Sequence, residues 1–248
     1  MTSPRNTYAT AKLLLLCTVL CLVPAVLRAE PPTNFDNAKD AAVSLWWEIG
    51  PATFYCGCPY REATPEEKKI RSGNLWVIGS VCGYQAKDAT TSKGKPNARS
   101  MRIEWEHIVP ADWIATGFGC RDQTRSECRA IPGYDQAEGD LFNLVPSVGE
   151  LNGDRSSKLY GIIDGEPREY GACDFEVADV AEPKEAVRGD VARVWLYMAD
   201  KYGVTLSADY RAMLEGWSAA DPVSEAERRR HDVIANEMGW GNRFITEQ

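Results

Sequence analysis

Six cysteines constrain this chain more than any other feature. The sequence holds eight, but Cys17 and Cys21 fall inside the N-terminal run LLLLCTVLCLVPAVL. Arg5 and Lys12 precede that run, no acid appears before Glu30, and Ala29 supplies a small residue at a plausible cleavage point. This is the pattern of an export signal over residues 1–29. It is short for a membrane-spanning helix and carries Pro24. Cleavage leaves Cys56, Cys58, Cys82, Cys120, Cys128 and Cys173, an even number in an oxidising compartment, which favours disulfides over free thiols. Cys120 and Cys128 are expected to close one short loop, and Cys56 and Cys58 to pair with Cys82 and Cys173 in either order. A zinc half-site at CGC is the rival, but zinc knots space their cysteines more widely and no partner motif follows.

Between these constraints the chain reads as one domain over 30–248, with no repeat or low-complexity linker. DNAKDAAVSLWWEI (36–49) predicts a helix stopped by Gly50-Pro51, with Trp46 and Trp47 filling core. NLWVIGSVCGYQ (74–85) and RIEW (102–105) are the strand candidates. KDATTSKGKPNARS (87–100) between them is a loop of turn formers. Pro146-Ser147 is read as opening a helix through VGELNGDRSSKLY, with Ser147 as cap. The last third is helical. Val187, Val191, Val194, Met198 and Tyr202 recur at helical spacing up to Gly203; Ser207 then caps SADYRAMLEGW, and 224–238 forms a further helix. The expected class is α+β, a little antiparallel sheet buried among helices.

The chemistry concentrates in RIEWEHIVPADW (102–113). A phosphodiesterase must neutralise charge on phosphate and take a proton from water. A hard cation held by oxygen ligands does the first. Histidine, with an unperturbed pKa of ~6.5, does the second. The chain has two histidines, and His107 adjoins Glu106; Asn152, in LNGDRSS, adds an amide oxygen. Neighbours on a flat strand face opposite ways, so Glu106 and His107 share a site only if the strand twists or ends there. Pro110 makes an ending plausible. Without it, Glu104 would share the Glu106 face. His231, in RRRHD, is read as a solvated residue on a polar helix.

FYCGCPY, VCGYQ, RIEWEHIVPADW, the Arg125-to-Cys128 spacing, AEGDLFNLVPSVGELNGDRSS and YGACDFEV occur in this order, and together they resemble the endonuclease I family. The resemblance covers the chain from about Ala41 to near its end. It implies a ββα-metal (His-Me finger) core and an exported, Mg²⁺-dependent endonuclease, periplasmic or secreted. The substrate would be DNA, with RNA as a further one, and the state a monomer free of the membrane after signal cleavage. His107 would be the general base. Glu106 and Asn152 would hold Mg²⁺, with Ca²⁺ or Mn²⁺ able to substitute. Arg125 would pair with phosphate, its planar fork suiting two oxygens, and Glu138 would be a further active-site acid, ordering metal-bound water. Asn143 is read as a structural amide.

Two departures stand out. Members often read HNL where this chain has FNL, so Phe142 replaces a histidine. Removing Arg5, Lys12 and Arg28 with the signal takes the formal charge from −8 to −11. Non-specific nucleic-acid binding depends on Lys and Arg, yet no basic stripe is visible along the sequence, only local arginines (Arg99, Arg102, Arg121, Arg125, Arg129, Arg155) that must gather in space. Weak or cation-dependent substrate binding is therefore expected. The rival functions are a catalytically degenerate secreted nucleic-acid-binding module and a disulfide-rich structural protein with Glu106 and His107 as a surface pair.

Overall fold

Asn34 starts the first helix by accepting a 3.0 Å hydrogen bond from the Asn37 amide. Ala38, Ala42 and Trp46 follow at four-residue spacing and are all buried. This computed structural model describes residue 1 and residues 30–70, 74–165 and 167–247; the signal and its cleavage point lie outside them. No described helix is long and apolar enough to cross a membrane.

The elements run α1 (Phe35–Ile49), β1 (Tyr60–Glu62), α2 (Pro65–Ile70), β2 (Leu75–Val77), α3 (Gly79–Cys82), β3 (Ile103–His107), α4 (Ala111–Gly117), α5 (Arg125–Cys128), α6 (Tyr134–Glu138), β4 (Leu144–Val148) and α7 (Gly149–Arg155). After them come β5 (Phe175–Val177), β6 (Ala181–Pro183), α8 (Glu185–Tyr202), α9 (Ala208–Ala220), α10 (Glu225–Met238) and α11 (Arg243–Thr246). The α+β class holds. Among the described residues the strands form three separate antiparallel pairs, β1–β2, β3–β4 and β5–β6.

The disulfides resolve the open order. They join Cys56 to Cys173, Cys58 to Cys82 and Cys120 to Cys128, so the CGC sulfurs are committed to bonds and form no zinc half-site. The helical third follows the expected signals: Gly203 ends α8 in the left-handed region at φ 70°, where a missing Cβ removes the penalty. Ser207 and Ser224 cap α9 and α10 by accepting from the Tyr210 and Glu227 amides.

Four readings are corrected. Pro146 and Ser147 lie inside β4 and α7 starts at Gly149. The Pro146 carbonyl accepts from the Phe54 amide at 2.8 Å, so this residue's backbone faces away from β3 and the missing N–H costs no ladder bond. The strand expected over 74–85 ends at Val77, because the chain turns into α3 and brings Cys82 to Cys58. Trp46 fills core, but Trp47, one position round the helix, is 39 % exposed. His231 is not solvated. It is buried, and its Nε2 accepts from the Asn242 amide at 3.1 Å, closing the turn between α10 and α11.

Candidate active site

Strand β3 pairs with β4 from Ile103↔Val148 through His107↔Leu144, and α7 follows β4 without a loop. This ββα unit builds the site. Alternate strand residues rise by about 6.6 Å and a helical turn by about 5.4 Å, so α7 meets β3 nearly in step. Asn152 Nδ2 donates to Glu104 Oε2 at 3.0 Å, and one turn on, Arg155 donates to Glu106 Oε1. Pairing ends at His107, where the chain bends through Ile108 and Val109 into α4. The strand end required for a shared site is therefore present, and Glu106, His107, Arg125, Asn152 and Arg155 line one cleft of about 320 Å³.

His107 is oriented from two sides. Its Nε2 lies 2.7 Å from the Glu138 carbonyl. A carbonyl only accepts, so Nε2 carries the proton and Nδ1 is left as the basic nitrogen. Phe35 packs against the ring with centroids 4.6 Å apart. Burial lowers the imidazole pKa to about 4, opposed by the bond to Glu138 and reinforced by Arg125, Arg155 and Arg129. The ring is thus neutral near pH 7.

Glu106 is 1 % exposed. Among the described residues its hydrogen bonds, from Tyr55 Oη (3.3 Å) and Arg155, both fall on Oε1, leaving Oε2 as the oxygen available to the cleft. Burial pushes its carboxyl up to about 7 against the pull of Arg155 and Tyr55. Asn152 has its amide nitrogen committed to Glu104, which leaves its side-chain carbonyl oxygen to accept or to ligate a cation. One carboxylate oxygen and one amide oxygen on one cleft suit a hard cation that keeps waters and shares phosphate oxygens. No described group of three His, Cys, Asp or Glu forms a denser cation site.

Arg125 opens α5 inside the loop closed by Cys120–Cys128. Thr124 and Glu127 form a capping box there, so the guanidinium rests on a fixed turn. Its side chain is 45 % exposed. Glu138 differs from its expected placement as an acid facing a bound water. Its carboxylate is fully buried and bonded by Arg125 and by Arg129 Nε at 2.9 Å. One residue thus holds His107 through its carbonyl and the arginines through its side chain. Asn143 is the structural amide expected: it bridges Val109 N (2.7 Å) and O (3.0 Å) directly after β3. Phe142 is buried against Tyr197 and His231 and does not line the cleft.

Sequence reasoning placed Arg155 only among the local arginines, and missed Tyr55, Tyr160 and Phe35. Tyr55 and Tyr160 share a 2.5 Å hydroxyl contact beneath Glu106. The one local signal was Arg155 three residues after Asn152, a single helical turn.

The cleft, its ββα frame and the disulfide pattern define a nuclease of the His-Me finger class, and the Endonuclease I family model matches residues 38–248. The chain belongs to that family. It is 36 % identical to an "Extracellular deoxyribonuclease" of Aeromonas hydrophila, over 95 % of this chain and 97 % of that one. It is 34 % identical to a "Periplasmic deoxyribonuclease" of the same organism (92 % and 91 % covered). "Endonuclease-1" of Buchnera aphidicola subsp. Acyrthosiphon pisum is 34 % identical (86 % and 80 %).

Proposed function

We propose that this chain is an exported, monomeric, Mg²⁺-dependent endonuclease that hydrolyses DNA with little sequence preference. Export accords with the leader, with three disulfides and with relatives named extracellular and periplasmic. The observation that carries the mechanism is the 2.7 Å contact from His107 Nε2 to the Glu138 carbonyl. It fixes the tautomer, so Nδ1 takes the proton of a water attacking phosphorus. The lowered pKa keeps that nitrogen unprotonated at neutral pH. Arg125 binds the phosphate, and Glu138 positions both groups. Arg155 holds Glu106 and the His107 carbonyl, fixing the last turn of the strand.

Glu106 and Asn152 would hold the cation, which stabilises charge on the phosphate and polarises its oxygens. One carboxylate flanked by guanidinium groups attracts a cation weakly, so cation affinity should rise when phosphate is present. A protein that grips only phosphate and sugar reads no sequence, which accords with loose specificity.

Plasmid incubated with Mg²⁺ should be nicked and then fragmented, and EDTA should stop the reaction until Mg²⁺ is restored. RNA in parallel defines the range. An intact plasmid under these conditions, with DNA bound, would instead establish the degenerate binding module.

A further inference from the structure

A second hollow, of about 530 Å³, is lined by Lys93, Lys95, Arg99 and Arg102 with no acid among its lining residues. In a mature chain of charge −11, four cations thus line one hollow. Lys93 and Lys95 are exposed and have no ion-pair partner among the described residues. Arg99 and Arg102 share the single carboxylate of Glu104, so the group retains positive charge.

The loop carrying the lysines is built rather than loose. Thr91 donates to the Lys95 carbonyl at 2.7 Å, and Gly94, at φ 70°, makes the turn between the lysines. Asn97 Nδ2 bonds the Asp88 carbonyl at 2.8 Å, and the Lys87 and Asp88 amides bond Glu150 of α7. The loop is therefore tied to the helix that carries Asn152.

The hollow also communicates with the cleft. Arg102 lines both it and an intermediate groove of about 860 Å³, and Trp105 and Asn152 line both that groove and the cleft. Trp47, 39 % exposed, forms part of the groove wall. Shared lining residues thus link the cleft, through a groove that holds Trp47 and Trp105 beside Asp40, Glu62 and Glu104, to a cationic end.

Resting on the nuclease reading above, we propose that this hollow is a phosphate exosite: it binds the backbone of the DNA being cut, away from the scissile bond, and gives an acidic protein its grip on a polyanion. Lys93 and Lys95 contact phosphate, and Glu104 holds Arg99 and Arg102 in place.

The test compares the wild type, the double variant Lys93→Ala/Lys95→Ala, and a charge-matched control, Lys69→Ala/Arg229→Ala, whose residues are exposed and outside the hollow. Binding of a long fluorescent duplex in EDTA is followed by anisotropy against salt, and kcat and KM are measured on plasmid with Mg²⁺. Loss of two phosphate contacts should reduce the slope of log affinity against log salt by about two, and raise KM about ten-fold while kcat changes by less than about two-fold. An unchanged slope and KM in the double variant, with the wild type binding and cutting DNA, overturns the exosite and leaves the nuclease reading intact. An equal loss in the control also overturns it, because net charge would then suffice. A wild type that neither binds nor cuts DNA removes both.

Discussion

The ββα unit and the helical third both bury arginine on glutamate, and they do so to different ends. In the scaffold, Arg193 of α8 is fully satisfied: Nε and one amino group bond Glu227 at 2.7 and 2.5 Å, and the other bonds the Asp221 carbonyl at 2.7 Å. In the site, Arg155 is equally buried but its Nε has no partner among the described residues, and Glu106 spends one carboxylate oxygen while the other is open to the cleft. A buried charge pair contributes to a unique fold only when every polar atom is met. The scaffold meets that condition. The site leaves Glu106 Oε2 and the Asn152 amide oxygen unspent at the cleft, where the proposed cation would sit, while the unmet Arg155 Nε is enclosed.

The contrast breaks most visibly at His107. His107→Ala should lower kcat about 10³-fold, in the range for a lost general base, while thermal melting and DNA binding stay near wild type. Activity within a few-fold of wild type would remove His107 as the base. Glu227→Ala addresses the other side. It leaves buried Arg193 with Asp190, at 2.9 Å, as its remaining carboxylate and should cost about 3 kcal/mol in denaturant unfolding, yet kcat at low temperature should survive, since Glu227 belongs to the scaffold. A selective loss of kcat without loss of stability would erase the distinction between the regions.

Between these extremes stands the Cys56–Cys173 disulfide, which spans 117 residues and adjoins Tyr55, the donor to Glu106. The pair Cys56→Ala/Cys173→Ala should cost about 2–5 kcal/mol and also weaken activity of the folded fraction, because the cross-link positions a residue beneath the site. Full activity with reduced stability would assign the bond to the scaffold alone.

The two regions also differed in how much of them was legible. Helices α8 to α10 are written locally, in valine spacing, Gly203, Ser207 and Ser224, and each signal acts within a turn of its own position. The site is written partly in contacts across the chain. Glu106 and His107 were readable because they adjoin, but the role of Arg155 depends on α7 crossing β3, which no local pattern states. Pro146 was misread for the same reason: its tolerance inside β4 follows from a bond to Phe54, distant in sequence. His231 was misread from its charged neighbours, whereas its burial follows from the turn that brings Asn242 onto the ring.

Phe142 sharpens the comparison with the smallest effect. The family resemblance leads one to expect histidine there, and a catalytic histidine lost from this chain would leave the site weakened. The ring instead lies within the core shared by the two regions, 5.3 Å from Tyr197 and 5.4 Å from His231, and off the cleft. Phe142→His would place a polar imidazole among these rings, where an unmet nitrogen costs about 1–3 kcal/mol. Unfolding should therefore shift modestly while kcat on plasmid stays within about two-fold, since His107 Nδ1, Arg125 and Asn152 are untouched. A several-fold gain in kcat would place this position in the chemistry and move the boundary between scaffold and site onto the turn just before β4.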